Sequence, residues 1–202
     1  MIGEVGMLIV IEGLDGAGLS TQAALLEEYL SGKNKAVLLT KEPTSSPIGT
    51  LIRSALRRNH DVSLIALQLL FAADRAEHLE HVIEPAMRAD TIVISDRYIL
   101  SSLAFGSVDN DLEFLKLINA RFRRPDLTVI IDTPPEVCLT RIKKNRDTIE
   151  LFEEERRLEA VRKQFLALSE YFKHTFVVDG DRAKEQVSRD IQALVEQRLM
   201  NP

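Results

Sequence analysis

The sequence predicts a three-layer α/β domain in which a five-stranded parallel sheet is covered by helices on both faces. Three observations lead to that fold class. Five short apolar runs of β-type composition recur at Met7–Ile11, Ala36–Thr40, Thr91–Ser95, Leu127–Ile131 and Thr175–Val178. Amphipathic stretches of helical period separate them. The 202 residues suit one such domain, spanning 1–202.

Taken in order, Met7–Ile11 is apolar throughout, as a strand buried on both faces must be. A glycine-rich turn follows, then a helix over Thr21–Leu30 with its apolar stripe on Ala24, Leu25 and Leu26. Ile48–Arg57 and one long helical stretch, Val62–Met87, lie between the second and third strands. Asp111–Phe122 lies between the third and fourth strands, and Pro135–Lys144 and Leu151–Phe172 between the fourth and fifth. Lys184–Leu199 follows the last strand.

Composition narrows the function classes. Hydrophobic content of 45% and charged content of 28% are ordinary for a globular chain. A net charge of −5 argues against a nucleic-acid or anionic-membrane partner. The single Cys138 has no internal disulfide partner and no metal-ligand cluster around it, so it reads as a core thiol in a reducing compartment. No segment has the apolar length of a membrane span, and Met1–Gly6 carries Glu4 without a basic n-region. A cytoplasmic location is the expectation.

The turn after the first strand, Gly13-Leu14-Asp15-Gly16-Ala17-Gly18-Leu19-Ser20-Thr21, follows the phosphate-loop template G-x-x-x-x-G-K-[ST] except that Leu19 holds the lysine position. Such a loop works mainly through its backbone. Glycines let successive N–H groups converge into an anion nest, and the following helix presents its positive end. Ser20 keeps the hydroxyl that would bind a nucleotide's magnesium ion. The missing lysine is consequential: a hydrogen bond to a charged group is worth about 1.5–3 kcal/mol. Removing one electrostatic donor from a transition state costs on the order of 10²–10³ in rate. Leu19 therefore implies a weakened enzyme, a binder without catalysis, or an enzyme whose cation comes from elsewhere.

In a parallel sheet, ligands sit at the carboxyl ends of the strands. Polar clusters stand directly behind three other apolar runs: Lys41-Glu42-Pro43, Asp96-Arg97-Tyr98 and Asp132-Thr133. Their convergence beside a phosphate loop marks a site. Arg53, Arg75 and Arg97 supply planar forks suited to a second phosphate. Phe71 and Arg75, four apart on one helix, share a face and could hold a base. On the helix alone the alternative is that Phe71 is core and Arg75 pairs with Asp74 or Glu77 at the surface.

Four motifs in order resemble the thymidylate kinase family, whose pattern reads GLDGAGKSTQ, R-E-P-G-G-T-P-I-G-x-x-I-R, F-x-A-D-R-x-x-H and D-R-Y-x-x-S-x-x-A-Y-Q. Here the matching segments are Gly13–Gln22, Lys41–Arg53, Leu70–His78 and Asp96–Gly106. The resemblance implies a P-loop kinase fold and transfer of the γ-phosphoryl of ATP to dTMP, giving dTDP and ADP. It also implies Mg2+ as cofactor and a homodimer. By position it makes Gly13, Leu14, Asp15, Gly16, Ala17, Gly18, Leu19, Ser20 and Thr21 the ATP-binding set. Phe71 would stack on thymine, Arg75 bind the base edge, and Arg53 and Arg97 clamp the monophosphate. Glu42 and Ser101 complete the acceptor set, and Phe105 packs under the deoxyribose. Asp15 and Arg97 are implied in catalysis, and Ser20 and Asp96 at magnesium.

Three departures stand out: Leu19 for lysine, Thr44-Ser45 for Gly-Gly, and Phe105-Gly106 for Tyr-Gln. The last removes a side chain aimed at the base, so dUMP or another deoxynucleotide is less excluded. The chain also resembles members that keep a catalytic arginine in a flexible lid. The basic run Arg141–Asp147, within a lid near 141–150, is the candidate, with Arg141 and Arg146 as its catalytic arginines and Lys41 as a further cation. Two other readings stay open. One is a related kinase of the same fold with relaxed base choice, and the other is a nucleotide-binding homologue that no longer catalyses transfer.

Overall fold

The computed structural model describes residues 6–145 and 155–200. Strands β1 (Leu8–Gly13), β2 (Val37–Lys41), β3 (Ile92–Asp96), β4 (Leu127–Asp132) and β5 (Thr175–Asp179) form one parallel sheet in the order β2-β3-β1-β4-β5. The three central strands are buried almost throughout, whereas β2 and β5 form the partly exposed edges.

Each strand runs past its apolar run to take in the next polar residue or glycine. Ladder pairing causes this, since Lys41 is opposite Asp96, Ile11 opposite Asp96, and Asp132 opposite Asp179. Main-chain hydrogen bonds to a neighbour hold a strand beyond the point where its side chains stop being apolar. The result places Lys41, Asp96, Asp132 and Asp179 along one edge of the sheet. Connections from β1 lead first to β2 and β3 on one side and later to β4 and β5 on the other. The loops therefore part around the carboxyl end of β1, the usual crevice of an open α/β sheet.

The helices are α1 (Leu19–Gly32), α2 (Pro47–Leu56), α3 (Leu64–His78), α4 (Glu84–Arg88), α5 (Ile99–Gly106), α6 (Leu112–Asn119), α7 (Pro135–Asn145), α8 (Glu155–Ala167) and α9 (Lys184–Met200). Helices α1 and α9 pack together against the sheet, and α3, α6 and α8 gather around α5. Ser46, Ser63 and Asp111 cap α2, α3 and α6 by accepting from backbone N–H groups three residues on.

Several sequence expectations need correction. Helix α1 begins at Leu19, so its buried stripe runs through Leu19, Ala23, Leu26 and Leu30, leaving Ala24 exposed and Leu25 half-buried. The stretch Val62–Met87 is not one regular helix, because a π-helical turn at Leu79–Ile83 separates α3 from α4. The Glu84 N–H donates back to Leu79 O in the wider π pattern, and Pro85, which has no N–H, follows at once. Helix α5 had no amphipathic signal because nearly every position in it is buried. Within Leu151–Phe172, α8 covers Glu155–Ala167 and Leu151–Glu154 lie outside the described residues. Of the lid at 141–150, residues 141–145 form the last turn of α7, and the remainder, Arg146 included, lies outside the described residues.

Cys138 is buried, and burial pushes its thiol up to about 12, as suits a core residue. Among the described residues no helix is long and apolar enough to cross a membrane.

Candidate active site

The loop after β1 has the conformation that its glycines allow. Gly13, Gly16 and Gly18 all have positive φ, at 149°, 81° and 100°. A Cβ at Gly16 would lie 2.5 Å from Cys138 O, so the loop also needs glycine for its close approach to α7. Gly18 stands at the N-cap of α1 without a side-chain cap, leaving the helix's first N–H groups facing the loop. Leu19 is buried in the first turn and joins the hydrophobic core. Ser20 lies just beyond it and donates to Asp96 Oδ2 at 2.5 Å. Hydroxyl and carboxylate oxygens at the mouth of the loop are the hard donors that magnesium takes.

Arg97 joins this loop to the neighbouring cleft. Its backbone is left-handed, φ 73°, an unusual state for a side chain other than glycine. Hydrogen bonds on both sides fix it there: Arg97 N–H donates to Ile11 O at 2.9 Å, and Ser95 Oγ donates to Arg97 O at 2.8 Å. The guanidinium donates to Gly13 O at 2.8 Å, Asp15 Oδ1 at 2.6 Å and Ser101 Oγ at 3.0 Å. It also lies 5.4 Å from the ring centroid of Phe105. Burial opposes its charge, but the carboxylates of Asp15, Asp96 and Glu12 outweigh that and raise its pKa.

Glu12, buried at the end of β1, accepts from Tyr98 N at 3.0 Å, Ser101 N at 3.2 Å and Ser101 Oγ at 2.5 Å. Burial pushes its carboxyl up to about 7, although the Ser101 bonds and the nearby charges of Arg97 and Arg75 act the other way. Glu12 thereby ties the phosphate-loop strand to the first turn of α5.

The cleft beside the loop encloses about 250 Å³ and is lined by Asp15, Ser20, Lys41, Arg53, Phe71 and Phe105, among others. Arg75 forms its buried wall. Its Nε donates to Glu42 at 3.0 Å, and its Nη2 to Tyr98 O at 3.0 Å and Ser102 Oγ at 2.9 Å. Nη1 donates to Asn119 Oδ1, and the group sits between the rings of Tyr98 and Phe122. Glu42 also bonds His78 Nδ1 at 3.1 Å, and His78 Nε2 bonds Thr40 Oγ1 at 2.7 Å. The surface pairing of Arg75 with Asp74 or Glu77 is thus excluded. Removing one partner of such a buried pair costs about 3–5 kcal/mol, so Arg75 and Glu42 hold the wall as well as face the cleft.

Asp74 instead braces the loop before α2. It accepts from Thr44 N at 2.7 Å, Thr44 Oγ1 at 2.6 Å and Ser46 Oγ at 2.8 Å. The departure from Gly-Gly at Thr44-Ser45 therefore adds a hydroxyl that bonds Asp74. Arg53 donates to Pro43 O at 3.1 Å, Thr44 O and Thr50 Oγ1 at 2.9 Å while lining the cleft. Phe71 is half-buried at the cleft, and Phe105 packs edge-on against Phe165 at 5.9 Å. Arg141 makes long contacts to Gly16 O, Ala17 O and Gly180 O at 3.4–3.5 Å, which brace the outside of the phosphate loop.

The structure therefore brings Asp15, Ser20, Glu42, Arg53, Phe71, Arg75, Asp96, Arg97, Ser101 and Phe105 around one cleft. Glu12, Gln68, Ser102 and Asn119 were not singled out from the sequence. Each is a polar residue inside an apolar stretch, and for Gln68 the helical spacing to Phe71 and Arg75 was a usable signal.

Comparison with known proteins shows the family. The thymidylate kinase family model matches residues 11–191. The chain is 42% identical to the probable thymidylate kinase of Pyrococcus horikoshii, covering 96% of this chain and 98% of the relative. It is 39% identical to that of Thermococcus gammatolerans, covering 98% and 99% respectively. The thymidylate kinase of Leifsonia xyli is 36% identical, with 96% of each chain covered. A phosphate loop, an adjoining arginine-lined cleft and near full-length similarity lead to one conclusion: this chain belongs to the thymidylate kinase family.

Proposed function

We propose that this chain transfers the γ-phosphoryl of ATP to dTMP, yielding dTDP and ADP on the route to dTTP. The observation that carries the reading is Arg97, whose guanidinium bridges the phosphate loop and the cleft. Two phosphate groups held on either side of it would meet in line, and phosphoryl transfer asks of a protein mainly such positioning and charge neutralisation. The α1 N-terminus and the loop amides bind the donor phosphates. Arg97 and Arg53 take the acceptor phosphate, Phe71 stacks on the base, and Phe105 packs beneath the sugar. Ser20 and Asp96 would hold Mg2+, which supplies charge neutralisation between the donor phosphates. Asp15 holds Arg97 in place until phosphate competes for it.

The working form is a homodimer in the cytoplasm. Ile65 and Leu69 on α3 are about half exposed, and Leu117 on α6 is 72% exposed. Solvent-facing apolar side chains on two adjacent helices suit burial against a second copy.

A coupled ADP-release assay over a panel of nucleoside monophosphates tests the reading. Turnover should be greatest with dTMP. Binding of ATP without turnover of any monophosphate would favour a non-catalytic nucleotide binder.

A further inference from the structure

Gln68 is a polar residue that the family motifs do not include. It is 2% exposed, and its Oε1 is buried without a hydrogen-bond partner. A buried amide oxygen left unpaired costs roughly 1–3 kcal/mol, so its place in the fold calls for a reason. Gln68 lines the cleft together with Phe71, Arg75, Ser102 and Phe105. It stands three residues before Phe71 and seven before Arg75, on the same stripe of α3.

The neighbouring helix makes room for it. A Cβ on Gly106 of α5 would lie 2.9 Å from Gln68 Cδ and Oε1, and 2.8 Å from Leu115 Cδ1. No side-chain carbon fits there without displacing the amide. Gly106 is therefore matched to Gln68, and the two form one local arrangement at the cleft wall.

The other polar group on this wall is largely committed. Arg75 has Nε, one Nη1 hydrogen and both Nη2 hydrogens engaged with Glu42, Asn119, Tyr98 O and Ser102. It has little left with which to read a base. An imide edge, an N–H flanked by carbonyl oxygens, complements a carboxamide at two points. The amide oxygen accepts from the ring N–H while the amide NH₂ donates to a ring carbonyl.

We infer that Gln68 is a specificity-determining residue that reads the imide edge of the pyrimidine base through its carboxamide, which the missing side chain of Gly106 allows to sit at the cleft wall. This rests on the dTMP kinase reading above. Because the 5-methyl group of thymine is not part of the imide edge, Gln68 serves thymine and uracil alike.

The test uses the full chain and the variant Gln68→Met, which keeps side-chain length and removes the amide. The KM for dTMP should rise about tenfold or more, and the KM for dUMP by the same factor. The kcat and the KM for ATP should change little, and the melting temperature should hold or rise, because the unpaired buried oxygen is gone. Calorimetric titration of dTMP onto the nucleotide-free protein should show the same loss of affinity. A second variant, Gln68→Leu, also removes the amide without burying a charge, and should show the same rise in both KM values. An unchanged dTMP affinity in Gln68→Met overturns the inference. So does a loss of kcat, ATP affinity and melting temperature together, which would mark a structural role. Failure of the wild type to phosphorylate dTMP would instead overturn the dTMP kinase reading.

Discussion

At the scale of single residues, Leu19 stands where the phosphate-loop template has its lysine. The side chain in the lysine position joins the core, and no positive charge is supplied from that position. Leu19→Lys should raise kcat by about tenfold or more, because one missing electrostatic donor costs on the order of 10²–10³. Steady-state kinetics with dTMP and ATP checks this. An unchanged kcat would mean that a cation elsewhere already meets the need, and Lys41 at the mouth of the cleft is the described side chain to replace next. The loop itself was legible because glycine spacing is a backbone signal that survives the lysine's loss. Arg75 was legible as important but not in its partners, since Glu42, Asn119 and Tyr98 come from three distant parts of the chain. Pairing of that kind is set by tertiary packing, which a local pattern does not record.

Between elements, the link from β1 to α5 carries a pH dependence. Glu12 accepts from two backbone N–H groups at the start of α5, and burial lifts its carboxyl to about 7 from an ordinary 4.5. The folded state thus holds the proton more tightly than the unfolded chain. The stability this contributes is full below about 4.5 and is lost as pH rises through about 7. Glu12→Gln removes the titration. Its melting temperature relative to wild type should climb by several degrees between about pH 5 and pH 8, at about 2–4 °C per kcal/mol. A constant difference across that range would refute the assignment. The strands were readable from apolar runs, but their last residues were not, because ladder pairing and not hydropathy carried them to Lys41, Asp96 and Asp132. Helix α5 was hidden for the opposite reason: burial on every side leaves it no polar stripe to give a period.

For the whole molecule, the parallel sheet of five strands followed from alternation of strand and helix, since that order admits few other packings. The apolar residues on α3 and α6 predict the assembly. Leu69→Glu should convert a homodimer to monomer in analytical ultracentrifugation, while its far-UV circular dichroism stays unchanged. A wild-type monomer would remove the case for that interface. Arg97 has a consequence beyond either nucleotide site. The same guanidinium holds Asp15 in the donor loop and Ser101 on the acceptor side. A phosphate that draws it from one of these partners loosens the other side as well. On the proposed reading the two substrates would be energetically linked through one side chain, and each would alter the other's affinity by the same factor. Arg97 would then be a shared latch, its hold on each side set by whether the other is filled.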